Sequence, residues 1–358
     1  MSKIIENRSE IVFLYDVTDA NPNGDPMEEN KPRLDQETGI NIVTDVRLKR
    51  TIRDYFLTLI ESGDERVKEQ DIFIKEVRDE EGYLYDAKTR AKDFLKKEGK
   101  FSEMKKAIKN EICSKCIDVR LFGGVIPLEL KVSGKDKPEK GSITLTGPTQ
   151  FRFGRSLHRV DIKYIQGTGA FAADYGGKKS MQFTFREEYI LPYSLICFYG
   201  IVNENAAKTT GLTESDVELL IEGMWNGTKN LITRSKVGQV PRFILRVTYR
   251  ENNFHIGDLD KMIKLKNRNG EDLSEEEQEK IRDISEVKVD ISKLIGVLSD
   301  YKDKIERIEF KADKRVAFVV NGSVLTSDEL KNEFVNKINL QNNQINEFVF
   351  WRKGIWTK

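Results

Sequence analysis

Two kinds of apolar spacing alternate along this chain, and their order limits the fold more than any other feature. Residues 11–17 (Ile-Val-Phe-Leu-Tyr-Asp-Val) form a short β-branched and aromatic run that reads as a buried strand. It ends in Asp19-Ala20-Asn21-Pro22-Asn23-Gly24-Asp25-Pro26, dense in turn residues. Thr44 stands where an N-cap starts a helix, and Leu48, Ile52, Tyr55, Phe56 and Leu59 draw one apolar stripe behind it. Residues 141–156 alternate, with Phe151 and Phe153 on one side and Arg152 on the other, and 188–202 read as a long aromatic strand. Thr213-Glu214-Ser215-Asp216 resembles a capping box, heading a helix whose stripe is Val217, Leu220, Ile221 and Met224. Pro241 opens a last strand. Phe243, Leu245, Val247 and Tyr249 share one side of it, and Arg242, Ile244, Arg246, Thr248 and Arg250 the other.

Strand, helix, strand, strand, helix, strand is the βαββαβ order of an α+β, ferredoxin-like fold, a plan that includes the RRM sheet used to hold single-stranded RNA. The order requires two insertions. Residues 61–140 are charged and Lys-rich, with Phe94, Phe101, Met104, Ile108 and Ile112 at helical spacings in places. They read as a helical insertion ending at the Gly123-Gly124 turn and a polar loop over 133–140. A Gly-rich interval around Gly167, Gly169, Gly176 and Gly177 separates the middle strands. Gln150-Phe151-Arg152-Phe153-Gly154 is a fragment of RNP1 chemistry, not the full octamer.

Charge is balanced overall, with 60 Lys and Arg against 59 Asp and Glu, so this is no globally basic coat. It is segregated locally. Residues 147–186 carry seven basic and two acidic side chains, net +5, and 223–250 carry six basic and none acidic. Residues 251–310 reverse the sign, with 16 acidic against 11 basic, net −5. A basic centre and an acidic C-terminal third are complementary surfaces for head-to-tail self-association. No apolar run approaches the ~18–20 residues that span a bilayer, and the N-terminus has no apolar signal core. Three cysteines suit a reducing compartment, so a cytoplasmic protein without membrane contact is expected.

Candidate chemistry is sparse. Cys113-Ser114-Lys115-Cys116 has C-x-x-C spacing, but four zinc ligands would have to come from a supply of only Cys197, His158 and His255 beyond it. Two small thiols beside a core is the plainer reading. Asp16, Asp19, Asp25 and Asp45 cluster around the first loop, where a magnesium site and ordinary loop hydrogen bonding are both open. His158 is open to acid–base, binding or packing roles. No phosphate loop, G-x-S-x-G elbow or H-E-x-x-H is present. No catalytic residue, metal ligand or cofactor is therefore assigned.

Nucleic-acid binding has a mechanism in these residues. Spaced Arg and Lys meet phosphates by charge, and glycine-flanked Phe171 and Tyr175 offer stacking faces. The polar loop 233–239 (Thr-Arg-Ser-Lys-Val-Gly-Gln) suits phosphate oxygens. The residues expected to contact RNA are Asn21, Asn23, Arg47, Lys49, Arg50, Arg53, Arg152, Arg155, His158, Arg159, Lys163, Phe171, Lys229, Arg234 and Lys236.

Specific wording then adds to this. Tyr15-Asp16-Val17, the Asn21-Pro22-Asn23-Gly24-Asp25-Pro26 loop and Val43-Thr44-Asp45-Val46-Arg47-Leu48-Lys49-Arg50 resemble the Cascade backbone subunit family of type I CRISPR systems, in its type I-B branch. Ile117-Asp118-Val119-Arg120-Leu121-Phe122-Gly123-Gly124, Gly147-Pro148-Thr149-Gln150-Phe151 and Gly223-Met224-Trp225-Asn226-Gly227-Thr228-Lys229 look like it too. The resemblance implies a RAMP-superfamily protein with an RRM-like palm over 8–60 and 141–255. It also implies a helical finger over 61–140 and a β-hairpin thumb near 159–185; residues 256–358 remain as a C-terminal α/β extension. It further implies a non-catalytic subunit that polymerises along CRISPR RNA in a ribonucleoprotein of antiviral defence, presents the guide to target DNA for pairing, and meets other Cascade subunits. Two other readings stay open: a metal-dependent endoribonuclease using Asp25 or Asp45, and a metal-free, repeat-processing ribonuclease using His158.

Overall fold

A run that is apolar on both faces can sit only in a sheet covered on both sides, and that is where residues 11–17 lie. The computed structural model describes residues 3–132, 134–172 and 183–350, the side chains of 168–172 and 183–186 excepted. Strand β1 (Ser9–Ala20) leads through a braced loop to β2 (Ile40–Val43) and helix α1 (Asp45–Glu61). An insertion follows, with α2 (Ala87–Lys92), α3 (Phe101–Lys115), α4 (Ile117–Phe122), β3 (Gly123–Leu130) and β4 (Glu139–Thr146). The chain returns as β5 (Thr149–Phe151), β6 (Gly154–Arg159), β7 (Lys163–Ala172) and the long β8 (Phe183–Val202). Helices α5 (Glu204–Thr210) and α6 (Glu214–Glu222) precede β9 (Val240–Tyr249), and β10 (Ile305–Ala312) and β11 (Ile345–Glu347) close the main sheet.

The sheet runs β11-β10-β9-β1-β8-β6-β2, antiparallel except between β10 and β11. Alternate residues of β1 serve two cores. Ile11, Phe13, Tyr15 and Val17 pack with Leu48, Ile52 and Phe56 of α1 and Val217, Leu220 and Ile221 of α6. Val12 and Leu14, with Phe243, Leu245, Val247 and Tyr249, are buried under the C-terminal third. Four short strands there, Lys264–Lys266, Lys288–Asp290, Phe318–Val320 and Ser323–Leu325, form a second sheet, with helices Ser292–Asp300 and Leu330–Ile338 beside it. The sheet face that an RRM leaves open is therefore occupied here by the chain's own C-terminal region. Glu10 helps to clasp it: fully buried, it accepts from Tyr199 Oη at 2.5 Å, from Tyr249 Oη, and from the amides of Ile256 and Gly257 at 2.9 Å.

Two side-chain placements differ from the simple alternation. A β-bulge where β1 meets β9, between Leu14 and Tyr15, brings Arg242 to the C-terminal side instead of beside Ile244. There its guanidinium donates to Asp16 at 2.7 Å and Asp313 at 3.2 Å. The strand expected through 141–156 is broken into β4, β5 and β6, so Phe151 is buried whereas Phe153 is exposed. Gly154 permits the restart, since a Cβ there would lie 2.4 Å from the Phe198 ring.

The insertion is not purely helical. Ile126, Leu128 and Leu130 of β3 and Ile143 and Leu145 of β4 alternate into a separate core with Phe73, Phe94, Met104, Ile108 and Ile112. Gly123 turns the chain at φ 64°, where a Cβ would meet Leu145 O at 2.2 Å. Buried ion pairs fasten this unit to the main sheet's helices: Arg120 grips Asp216 of α6 at 2.7 and 3.0 Å, and Arg53 of α1 reaches Asp118 at 3.1 Å. Residues 183–190 of β8 pair with β7 as a hairpin beyond the sheet, while 191–202 of the same strand lie beside β1. Among the described residues no helix is long and apolar enough to cross a membrane.

Candidate nucleic-acid interface

The loop after β1 is held by its own asparagines. Asn21 donates from its amide to Ser235 O at 2.8 Å and from Nδ2 to Asn30 O at 2.6 Å, joining the loop to the 233–239 segment. Asn23 Oδ1 accepts from both the amide and the hydroxyl of Thr44 at 2.8 Å. Thr44 in turn caps α1 by accepting from the Arg47 amide. Asn21 and Asn23 are thus braces. They bring the start of α1 and the loop before β9 together, and Asn21 Oδ1 is buried with no hydrogen-bond partner among the described residues.

At this junction the positive charges are poorly compensated. Arg47 is partly buried, donates to Thr51 Oγ1 at 3.1 Å, and has its nearest carboxylate, Asp54, at 4.0 Å. Its Nε is buried with no hydrogen-bond partner among the described residues. Among the described residues Lys236 Nζ reaches only Ser235 Oγ, at 3.2 Å. Burial, and then the positive field of Arg47, hold the Lys236 ammonium below the usual lysine range, and burial similarly lowers Arg47. Gln239, at the end of the same loop, has a buried Nε2 without an acceptor among the described residues. Donors and cations with too few acceptors are what an anion such as a phosphate completes.

Around this centre, Lys49 is shared between Asp45 at 2.9 Å and Gln150 at 3.4 Å, and Arg50 is exposed and bonded to Asp54 at 2.7 Å. Arg234 is exposed beside Glu188 at 3.3 Å, and Lys229 is exposed with no ion pair among the described residues. The exposed pairs of Arg50 and Arg234 are weak enough for phosphate to compete.

Of the other expected contacts, Arg53 and His158 are buried in the fold, and Arg152, Arg155, Arg159 and Lys163 make exposed or half-exposed ion pairs. Arg53 is buried against Asp118, which also accepts from the amides of Phe73 and Ile74. His158 is 1% exposed: Nδ1 lies 2.7 Å from Arg159 O and 3.1 Å from Gln278 O, while Nε2 accepts from the Leu195 amide at 3.2 Å. Burial pushes its imidazole down to about 4, so it is a neutral core group, out of reach of RNA and of any substrate proton. Arg152 stacks on Tyr199 and pairs with Asp258 at 2.5 Å and Asp260 at 3.6 Å. Arg159 pairs with Glu279 at 3.3 Å and Glu275 at 3.6 Å. Arg155 faces Asp35 at 3.3 Å, and Lys163 pairs with Asp161. The side chain of Phe171, and all of Tyr175, Lys178 and Lys179, lie outside the described residues.

Part of the acidic C-terminal third is thereby spent within the chain, on Arg152, Arg159, Arg242 and Arg246. Three of the four carboxylates around the first loop are engaged as well. Asp25 pairs with Arg33 at 2.5 Å and caps the Met27 amide, Asp45 holds Lys49, and buried Asp16 holds Arg242 and Tyr193. Among the described residues no three His, Cys, Asp or Glu side chains are placed to hold a metal. Cys113 and Cys116 are free thiols, Cys116 buried in the insertion core, and burial raises both. The sequence marks Gln239 only as the end of the polar 233–239 loop, and its stranded amide needs the fold. The lysine density at 88–115, where ten basic residues face four acidic ones, marks the insertion as charged without assigning it a contact.

The sequence profile of the family described as CRISPR-associated protein Cas7 matches residues 7–292. A curated relative from Haloferax volcanii, "CRISPR-associated protein Cas7", is 32% identical over 334 residues, covering 90% of this chain and 92% of the relative. Among solved structures, a chain of a "CRISPR RNA-guided surveillance complex, pre-nicking" aligns at TM-score 0.47 and 12% identity over 96% of each chain. A chain of another "CRISPR RNA-guided surveillance complex" aligns at 0.43 and 10%, over 85% of this chain and 88% of that one. With the profile spanning most of its length and the archaeal relative nearly all of it, this chain belongs to the CRISPR-associated Cas7 family.

Proposed function

We propose that this chain is a non-catalytic, RNA-binding backbone subunit of a type I, Cascade-like effector of the I-B branch. It is a cytoplasmic protein that lines up in several copies along a CRISPR RNA, exposes the guide for pairing with target DNA, and meets other Cascade subunits. The observation that carries the reading is the pair of under-compensated cations Arg47 and Lys236 where the loop after β1 meets the 233–239 loop, in a member of this family. Residues 8–60 and 141–255 act as the RRM-like palm, an assignment supported by the β9-β1-β8-β6 strand order. Residues 61–140 act as the finger and the β7–β8 hairpin, near 159–185, as the thumb. RNA runs along the loop end of the palm, because the C-terminal region fills the face an RRM would use.

The absence of catalysis is supported by how the candidate groups are occupied: Asp25 and Asp45 by cations, His158 by backbone groups in the core. Incubating the protein with labelled single-stranded RNA, with Mg²⁺ or with chelator, tests this. RNA should be bound and recovered intact in both. Mg²⁺-dependent cleavage that disappears in Asp25→Ala would make the protein a nuclease instead.

A further inference from the structure

One surface of the insertion is unfit for RNA and yet exposes large apolar side chains. Residues 74–86 fold back on themselves through an Arg78–Leu84 bridge, with the Asp79 amide donating to Tyr83 O at 3.0 Å and the Tyr85 amide to Val77 O at 2.8 Å. The turn carries five acidic residues against two basic, net −3, and so repels phosphate. Ile74, Tyr83 and Leu84 are each more than half exposed. Apolar exposure rimmed by charge marks a protein contact.

The partner is specified by a second surface of the same insertion. The segment entering the hairpin is bonded to the end of α3, the Asp71 amide donating to Lys115 O at 2.8 Å, while the hairpin itself leads into α2 along β3 and α3 packs along β4. Met104, Ile108 and Ile112 of α3 face inward. Lys105 and Lys106 are exposed, and neither they nor Lys109 makes an ion pair among the described residues. We propose that the acidic, apolar hairpin of one copy docks on the lysine face of α3 of the next copy. The inference rests on the reading of this chain as a repeating subunit. A contact between two different patches is heterologous and, where its rotation does not close, adds copies in one direction.

Charge exchange tests it on the full chain. Glu80→Lys/Glu81→Lys and Lys105→Glu/Lys106→Glu should each lower multi-copy loading on a long single-stranded RNA, read by sedimentation, by about tenfold. The protein carrying all four changes should recover to near the parent. Affinity for an RNA too short for two copies should stay unchanged in all three, and the parent failing on that short RNA would indict RNA binding, not the interface. In that event the same proteins sedimented without RNA at high concentration give the same comparison. Unchanged loading after the Glu80/Glu81 exchange, or no recovery in the fourfold variant, overturns the proposal. So does loss of short-RNA binding in the Lys105/Lys106 variant, which would make the lysine face an RNA contact.

Discussion

Arg242 and Arg47 show two uses of one side chain. Arg242 is buried between the sheet and the C-terminal region, where Asp16 and Asp313 answer its charge. Arg47 sits at the loop end, close enough to Lys236 to depress it, and finds a carboxylate only at 4.0 Å. The first region has matched its charges within the fold; the second has left a surplus. A count of basic residues along the chain cannot tell these apart, and the surplus is the charge most available to an RNA backbone.

The largest expected effect breaks the matched side. Arg242→Ala strands the buried Asp16 carboxylate and should cost about 3–5 kcal/mol in urea unfolding, with RNA affinity per folded molecule unchanged. A fall in affinity with little loss of stability would place Arg242 at the interface and erase the distinction.

The next effect concerns His158. Its folded-state value, about 4, lies below the unfolded imidazole's 6.5, so from pH 6.5 down to about 4 the unfolded chain binds a proton that the folded chain refuses. The stability this group contributes is complete above pH 6.5 and should fall by about 1.4 kcal/mol per pH unit, some 3 kcal/mol in all. His158→Gln, itself less stable, should lack that component of the slope when unfolding is followed by denaturant at each pH. RNA binding between pH 6 and 8 should not follow His158 at all.

A smaller effect sharpens the boundary. Arg152→Ala and Arg159→Ala remove exposed or half-exposed ion pairs and should each change stability by about 1 kcal/mol or less. Their effect on the salt dependence of RNA binding should be smaller than that of the loop-end cations, because the C-terminal acids already neutralise them. A slope change equal to that of Lys236→Ala would extend the RNA path across β5 and β6.

Local spacing made β1, α1, β8, α6 and β9 legible, since each is marked by residues within a turn or two of one another. The rest is set by distant partners. Arg53 reads as a free cation until Asp118, 65 positions on, closes over it, and His158 reads as reactive until Gln278 and Leu195 enclose it. Arg242 lies on the side opposite to the one that simple alternation gives it, because a single bulge shifts the parity of a strand. The β3–β4 hairpin is hidden because Ile126, Leu128 and Leu130 group with the charged insertion around them, whereas their partner strand reads as the start of the 141–156 strand. At the candidate site, Arg47, Lys49, Arg50 and Lys236 are in view from the sequence, whereas the bracing by Asn21 and Asn23 and the stranded amide of Gln239 need the fold.

The most direct test is the salt dependence of RNA binding in Arg47→Ala/Lys236→Ala. Removing two phosphate-binding cations should lower the slope of log affinity against log salt by about 2, or nearer 1.4 on the single-strand scale, and weaken all RNA sequences by a similar factor. The folded state should hold or gain stability as the mutual repulsion is relieved. A slope equal to the parent's, or a weakening confined to one RNA sequence, would contradict the assignment of the loop-end junction to the RNA backbone.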